Sequence, residues 1–161
     1  MVFEFMQFDL IAIGRRMPAW IDSAFCEYSK RLPKSINFNL IEITPATRTK
    51  NKNSEQLKKI EEEKINAVIT SDNIVIVLDE KGKTISSHSL SVQLQTWMDD
   101  QQHISVLIGG ADGLSSSIKN KADQIWSLSE MTLPHGLVRI IMIEQLYRAW
   151  SIINRHPYHR K

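Results

Sequence analysis

Two stretches of this chain carry residue types suited to chemistry. The first is Gly109-Gly110-Ala111-Asp112-Gly113, reached directly from the apolar run I-S-V-L-I over residues 104–108. A buried strand that ends in glycines lets a backbone approach a ligand with no Cβ in the way. In open α/β sheets, ligands lie in the crevice beyond the carboxyl ends of the strands. The second stretch is His156-Pro157-Tyr158-His159-Arg160-Lys161, a small cationic and aromatic tail at the end of the sequence. Imidazoles move protons near neutral pH, and guanidinium groups hold anions. Between the two, residues 128–135 read as a short strand and loop that stops at Pro134, followed by an unusually apolar helix. Ligand loop, second loop, helix and reactive tail make an enzyme the leading reading.

Several familiar chemistries are missing. There is no G-x-x-x-x-G-K-[ST] phosphate loop. Gly109-Gly110-x-x-Gly113 is not the dinucleotide G-x-G-x-x-G, and it comes late in the chain, so a plain tight turn competes with a ligand loop there. No Gly-x-Ser-x-Gly elbow occurs, and one cysteine, Cys26, excludes an internal disulfide and most cysteine metal sites. His156 and His159 lie three apart without a carboxylate set, so no metal is expected. His88 and His103 are isolated and read as surface residues.

With 161 residues, 42% apolar and 24% charged, the chain reads as one globular domain over residues 1–161. No apolar run approaches the roughly 20 residues of a membrane span. The N-terminus lacks a secretory pattern, which points to the cytoplasm. A net charge of +2 gives no global basic field for nucleic acid. Arg48, Lys50 and Lys52 cluster in one loop, which reads as a solvated face; the tail, with its histidines and tyrosine, does not.

Strand-like and helix-like segments alternate around these stretches. Residues 6–13 read as a first strand ending at Gly14, and Pro18 starts a helix with Trp20, Ile21, Ala24, Phe25, Tyr28 and Leu32 at helical spacing. Residues 37–43 form a second strand. Ser54 caps a helix over 55–69 whose stripe is Leu57, Ile60, Ile65 and Val68. The run I-V-I-V-L over 74–78 reads as a strand covered on both faces, with a turn at Gly82 and a helix from Ser86 or Ser87 through Trp97. Then come the 104–108 strand, a helical turn after Leu114, a strand over 125–128 and a long helix over about 137–154. This order predicts an α/β fold with a parallel-rich sheet and helices on both faces.

On the last helix, Glu144, Arg148, Ser151 and Arg155 share one narrow polar face. Ile140, Met142, Ile143, Leu146, Tyr147, Trp150 and Ile153 cover a wide apolar sector, with Ile141 and Ile152 on a flank. So apolar a helix needs more than one covering neighbour, and a second subunit is a natural one. Arg139 falls inside the apolar sector, in the first turn, where the helix dipole disfavours a cation. It should therefore meet a carboxylate, loop carbonyls or an anionic ligand.

Four segments in order resemble the bacterial ribosomal RNA large subunit methyltransferase H family, of the SPOUT class. They are V-L-I-G-G-A-D-G-L, W-S-L-S-E-M-T-L-P-H, V-R-I-I-M-I-E-Q-L-Y-R-A-W and the terminal H-P-Y-H-R. The early I-A-I-G with Met17-Pro18 and the middle I-V-L-D-E-K-G-K also fit. The resemblance covers residues 6–161 and makes residues 1–5 an extension before a start at Met6. It implies a SPOUT-type sheet with a C-terminal trefoil knot, a homodimer, and methyl transfer from S-adenosylmethionine to N3 of a pseudouridine in large-subunit rRNA on the assembled ribosome.

Carried over by motif, the cofactor pocket would comprise Leu78, Gly109, Leu128, Ser129, Glu130, Met131, Thr132 and Leu133. Backbone groups there would read the adenine edge while leucines and Met131 sandwich its ring. Arg148, Tyr158, His159 and Arg160 match positions the family associates with substrate and chemistry, with Glu144 and Arg139 in support. In that role Tyr158 stacks on a base, Arg148 and Arg160 hold phosphate or imide oxygens, and His159 moves a proton. The general base is left open, and an ordinary i,i+4 pair remains the plain reading of Glu144 and Arg148. The tail is expected to be mobile without RNA, having few apolar residues to anchor it. Two other readings compete: a non-catalytic ribosome-binding module, which would not need both the cofactor loop and His159, and a tRNA methyltransferase, which would want an added RNA-binding domain.

Overall fold

The computed structural model describes residues 5–160. Of the expected extension, residues 1–4 lie outside the described residues, as does Lys161 of the tail. Along the chain come β1 (Met6–Ile13), α1 (Ala19–Ser29), β2 (Ile36–Ile43), α2 (Ser54–Asn66), β3 (Ile74–Thr84), α3 (Ser87–Asp99) and β4 (His103–Ile108). They are followed by α4 (Ser116–Lys121), β5 (Gln124–Ser127), α5 (His135–Ile153) and a 3₁₀ turn, Pro157–His159. The strands form one sheet in the order β2-β1-β4-β3-β5, and every neighbouring pair is parallel. All strand carboxyl ends therefore open on the same side.

Residue alternation divides the core. Phe8, Leu10 and Ala12 of β1 pack with Leu94 and Trp97 of α3 and with Met142 and Leu146 of α5. Ile11 and Ile13 of the same strand face Ile65 of α2, Ile118 of α4 and Leu114. Strands covered on both faces cannot alternate polar with apolar, which explains the continuous runs read in the sequence. The expected α/β architecture with helices on both faces is present.

Several local expectations are corrected. β3 does not turn after Leu78 but continues to Thr84: both Leu78 and Lys83 pair with Trp126, and the register shifts between them. Gly82 permits this, because a Cβ there would lie 2.7 Å from the Trp126 carbonyl carbon. α2 is capped by Asn53, whose side chain accepts from the Gln56 N–H while the Gln56 side chain accepts from the Asn53 N–H, a reciprocal pair stronger than a lone Ser54. The helix ends at Asn66, so Val68 is outside it and exposed. Residue 128 is not strand, since β5 ends at Ser127. Trp20 is 61% exposed and is no part of the core stripe of α1. Ser151, expected on a polar face of α5, is fully buried and satisfies itself by donating to the Arg148 carbonyl at 2.7 Å. His103 is no isolated surface residue: its Nε2 lies 2.6 Å from Oδ2 of the buried Asp9.

Candidate functional site

A cleft of about 790 Å³ opens beyond the carboxyl ends of the strands. Its walls are Leu78 from β3, Ile108 and Gly109 from β4, the 110–114 loop, and Leu128, Ser129, Met131, Thr132 and Leu133 from the segment after β5. Seven of the eight residues expected to hold a cofactor therefore converge on one cavity. Glu130 is the exception; it is exposed and absent from the lining. Residues from the first half of the chain also line the cleft and are not expected there from the sequence: Met17, Ala46, Arg48, Leu57 and Glu61.

The glycines act differently from the open approach expected of them. A Cβ on Gly109 would lie 2.9 Å from the Gly113 carbonyl carbon, so the tight turn requires glycine there whether or not a ligand is near. The turn is closed by the Gly113 N–H donating to the Gly110 carbonyl at 3.0 Å, with Gly113 at φ +76°. Across the mouth, Arg48 Nη2 meets Asp112 Oδ2 at 2.6 Å and ties this turn to the β2–α2 loop. The other rim is equally connected. Ser129 Oγ accepts from the Met131 N–H at 2.9 Å, and Thr132 Oγ1 donates to Glu80 at 3.0 Å. Burial raises the Asp79 carboxyl, but the Lys119 ammonium at 2.6 Å and the Lys81 N–H outweigh this and hold it below the ordinary carboxylate value.

At the cleft floor α5 begins. Arg139 is 1% exposed; Nη1 donates to Glu42 Oε2 at 2.8 Å and Nη2 to the Gly14 carbonyl at 2.9 Å. It thus meets the carboxylate and the carbonyl that its burial demanded. This places Arg139 under the cleft, joining β1, β2 and α5, and away from the other residues expected to share in catalysis. One turn earlier, His135 lines the cleft, and its buried Nε2 has no hydrogen-bond partner among the described residues. Burial, and then the Arg139 charge, push this imidazole below its ordinary pKa, so it is held neutral. His135 was missed in the sequence as a candidate, because a lone histidine after Pro134 has no partner to signal it.

Glu144, Arg148 and Tyr158 form a second, compact cluster. Glu144 Oε1 accepts from Arg148 Nε at 3.0 Å, from Arg148 Nη2 at 2.6 Å and from the Tyr158 hydroxyl at 2.9 Å. The Arg148 guanidinium lies 5.0 Å from the Tyr158 ring centre, and Tyr147 packs on the same ring at 4.7 Å. Burial, with hydrogen bonds to Tyr28 and Glu144, raises the Tyr158 pKa well above that of an ordinary phenol. The tail is therefore docked, contrary to the expectation of a mobile end. Its aromatic ring supplies the anchor, and the His156 N–H donating to the Ser151 carbonyl at 2.8 Å fixes the turn. His159 Nδ1 is buried without a hydrogen-bond partner among the described residues, and Arg160 is exposed. None of Glu144, Arg148, Tyr158, His159 or Arg160 lines the cleft of the same chain.

Among the described residues no helix is long and apolar enough to cross a membrane, and no three metal-ligating side chains converge. Residues 6–159 match a family described as "Predicted SPOUT methyltransferase". The chain is 44% identical over 156 residues to a protein of Methylobacillus flagellatus, covering 97% of this chain and 100% of that protein. It is 46% identical over 155 residues to proteins of a Janthinobacterium species and of Saccharophagus degradans, covering 96% of this chain and 99% and 100% of those proteins. All three relatives are named "Ribosomal RNA large subunit methyltransferase H".

Proposed function

This chain belongs to the SPOUT methyltransferase family, and from that premise we propose that it methylates N3 of a pseudouridine in large-subunit rRNA on the assembled ribosome. The methyl donor in this reading is S-adenosylmethionine. The observation that carries the reading is the convergence of the 78, 109 and 128–133 segments on one cleft beyond parallel strand ends. Its fit to an adenosine-sized ligand is supported by its volume, its leucine walls and the unpartnered His135 Nε2, a buried polar atom in want of a hydrogen bond.

When bound, the donor supplies an electrophilic methyl group; the chain supplies alignment and charge. Alignment of the acceptor nitrogen is the main requirement of an in-line displacement. The imide N3 must also lose its proton, and in this reading Arg148, with Arg160, stabilises the resulting anion. Glu144 orients the Arg148 guanidinium from two of its nitrogens and fixes the Tyr158 ring for stacking. Tyr158, kept protonated by its raised pKa, is a donor in this reading and not the base. His159, whose Nδ1 has no hydrogen-bond partner among the described residues, is the proton carrier in this reading.

The reading includes a homodimer in the cytoplasm, a single domain with a C-terminal trefoil knot, and a cleft completed by the partner's tail. In support, the tail cluster lies outside its own chain's cleft, and α5 leaves Ile140, Ile141, Trp150 and Ile152 only partly covered. The test is mass spectrometry of rRNA after ribosomes lacking the modification are incubated with the protein and donor. Appearance of N3-methylpseudouridine is expected; unchanged rRNA overturns the proposal.

A further inference from the structure

We propose that residues 14–18 and the first turn of α1 form a docking surface for RNA, in which Arg15 and Arg16 hold backbone phosphates and Trp20 stacks on a base or ribose. This rests on reading the chain as an rRNA methyltransferase and adds where the RNA is gripped outside the cleft.

The loop is pinned at both ends. The Gly14 N–H donates to the Ile43 carbonyl at 2.9 Å, and the Gly14 carbonyl accepts from the buried Arg139. On the far side the Pro18 carbonyl accepts from the Ile21 and Asp22 N–H groups at 2.9 and 3.3 Å. Between these anchors Gly14 has φ +143° and Arg16 has φ +57°, a left-handed conformation that a side chain with a Cβ rarely adopts. Met17 turns inward to line the cleft, while Arg15 and Arg16 are exposed. Neither guanidinium has a hydrogen bond or ion pair among the described residues. They differ in this from Arg31, Arg48, Arg139 and Arg148, each of which holds a carboxylate.

Trp20 follows on α1, 61% exposed and without an aromatic partner among the described residues. Its neighbour Ile21 is buried against Gly136, so the inward face of the helix is already filled and the indole points to water. Asp22, two residues on, is about 200° around the helix from Trp20 and does not oppose an anion there. Two free cations beside an exposed indole, next to the mouth of the cleft, match a polyanion with π-faces. A second copy of the chain would want carboxylates opposite the arginines, whereas RNA presents phosphates at every step.

The test uses the full chain and two variants, Arg15→Ala/Arg16→Ala and Trp20→Ala. Binding to purified ribosomes is measured at several salt concentrations, beside calorimetry with S-adenosylmethionine, thermal melting and sedimentation. The double variant should weaken ribosome binding about tenfold or more and lower the salt slope by about 2, as expected for two lost phosphate contacts. Trp20→Ala should weaken binding roughly tenfold with the slope kept, as for one lost stacking platform. Donor affinity and thermal midpoint should stay unchanged in both. Wild-type affinity and slope in both variants would overturn the inference, as would a wild-type chain that does not bind ribosomes. So would a Trp20→Ala chain of lower sedimentation mass with unaltered ribosome affinity, which makes the surface a contact between copies. If the variants lose ribosome binding as described while the wild type methylates nothing, the docking surface stands and the proposed activity falls.

Discussion

Tyr158 shows how one phenol joins the tail to α5. Its hydroxyl donates to Glu144, which also binds Arg148, and its ring lies against Tyr147 and the Arg148 guanidinium. Tyr158→Phe keeps the ring and removes only the hydroxyl with its hydrogen bonds. It should cost about 1 kcal/mol in urea unfolding, below the range for a bond to a buried charged acceptor because the site is partly exposed. Methylation should fall further than stability does, since Glu144 then holds Arg148 less firmly; an unchanged rate would separate Tyr158 from the chemistry. His135 gives a pH-dependent counterpart. Its folded pKa lies below the ordinary 6.5, so the unfolded chain takes up the proton first as pH falls. The stability it contributes is complete above about 6.5 and is lost progressively below that value until the folded state protonates too. Melting curves should show wild type losing stability relative to His135→Asn over that acidic window, and parallel curves would remove the assignment. Sequence alone marked Tyr158 because it lies in a dense motif. It could not mark His135, whose lowered pKa depends on burial and on the charge of Arg139, itself paired with Glu42 more than 90 residues away.

α5 is the member that joins the two clusters, starting at the cleft floor and ending at the docked tail. Its first turn is fixed by Arg139 to Glu42 and to the Gly14 carbonyl, so the helix start, β1 and β2 are tied at one point. Arg139→Met removes the cation and leaves Glu42, which is 37% exposed and can rehydrate. The loss should therefore be about 2–3 kcal/mol in chemical unfolding, below the full cost of stranding a buried charge. Glu42→Gln should lose at least as much as Arg139→Met, because it leaves the buried guanidinium without its carboxylate, held only by the Gly14 carbonyl and an amide oxygen. Equal stability of Arg139→Met and wild type would mean that the pairing contributes nothing. Much of this element could be read in advance: the apolar girth of α5, the burial of Arg139 and its need for a polar partner all follow from spacing. The identity of that partner does not, since Glu42 sits at the end of a strand whose register only the folded sheet defines. Nor does the extension of β3 past Leu78, which depends on Gly82 admitting the backbone of β5. The docking of the tail was misread for a related reason. A helix-to-tail aromatic contact between Tyr147 and Tyr158 spans eleven residues and a left-handed Arg155, which no periodic pattern encodes.

In the molecule as a whole, the cleft and the tail cluster are separate features of one chain, and the proposed reaction needs both at one place. A symmetric dimer in which each tail reaches the other's cleft satisfies this with one interface used twice. Sedimentation should give a mass near twice 18.5 kDa at micromolar concentration. A stronger test mixes two inactive variants. One, Leu133→Arg, fills the cleft with a cation but keeps the tail; the other lacks residues 158–161 but keeps the cleft. Deleting that segment removes the Tyr147–Tyr158 contact and the bond to Glu144, so its melting temperature should drop by a few degrees while the fold persists. After subunit exchange about half the dimers are mixed, and each mixed dimer rebuilds one working site from the intact cleft and the intact tail. Methylation should then return to about a quarter of the wild-type rate, although neither variant alone shows any. If each tail served its own chain, mixing would restore nothing, and the cluster at the end of α5 would have to reach its own cleft by a rearrangement that breaks Tyr158 away from Glu144.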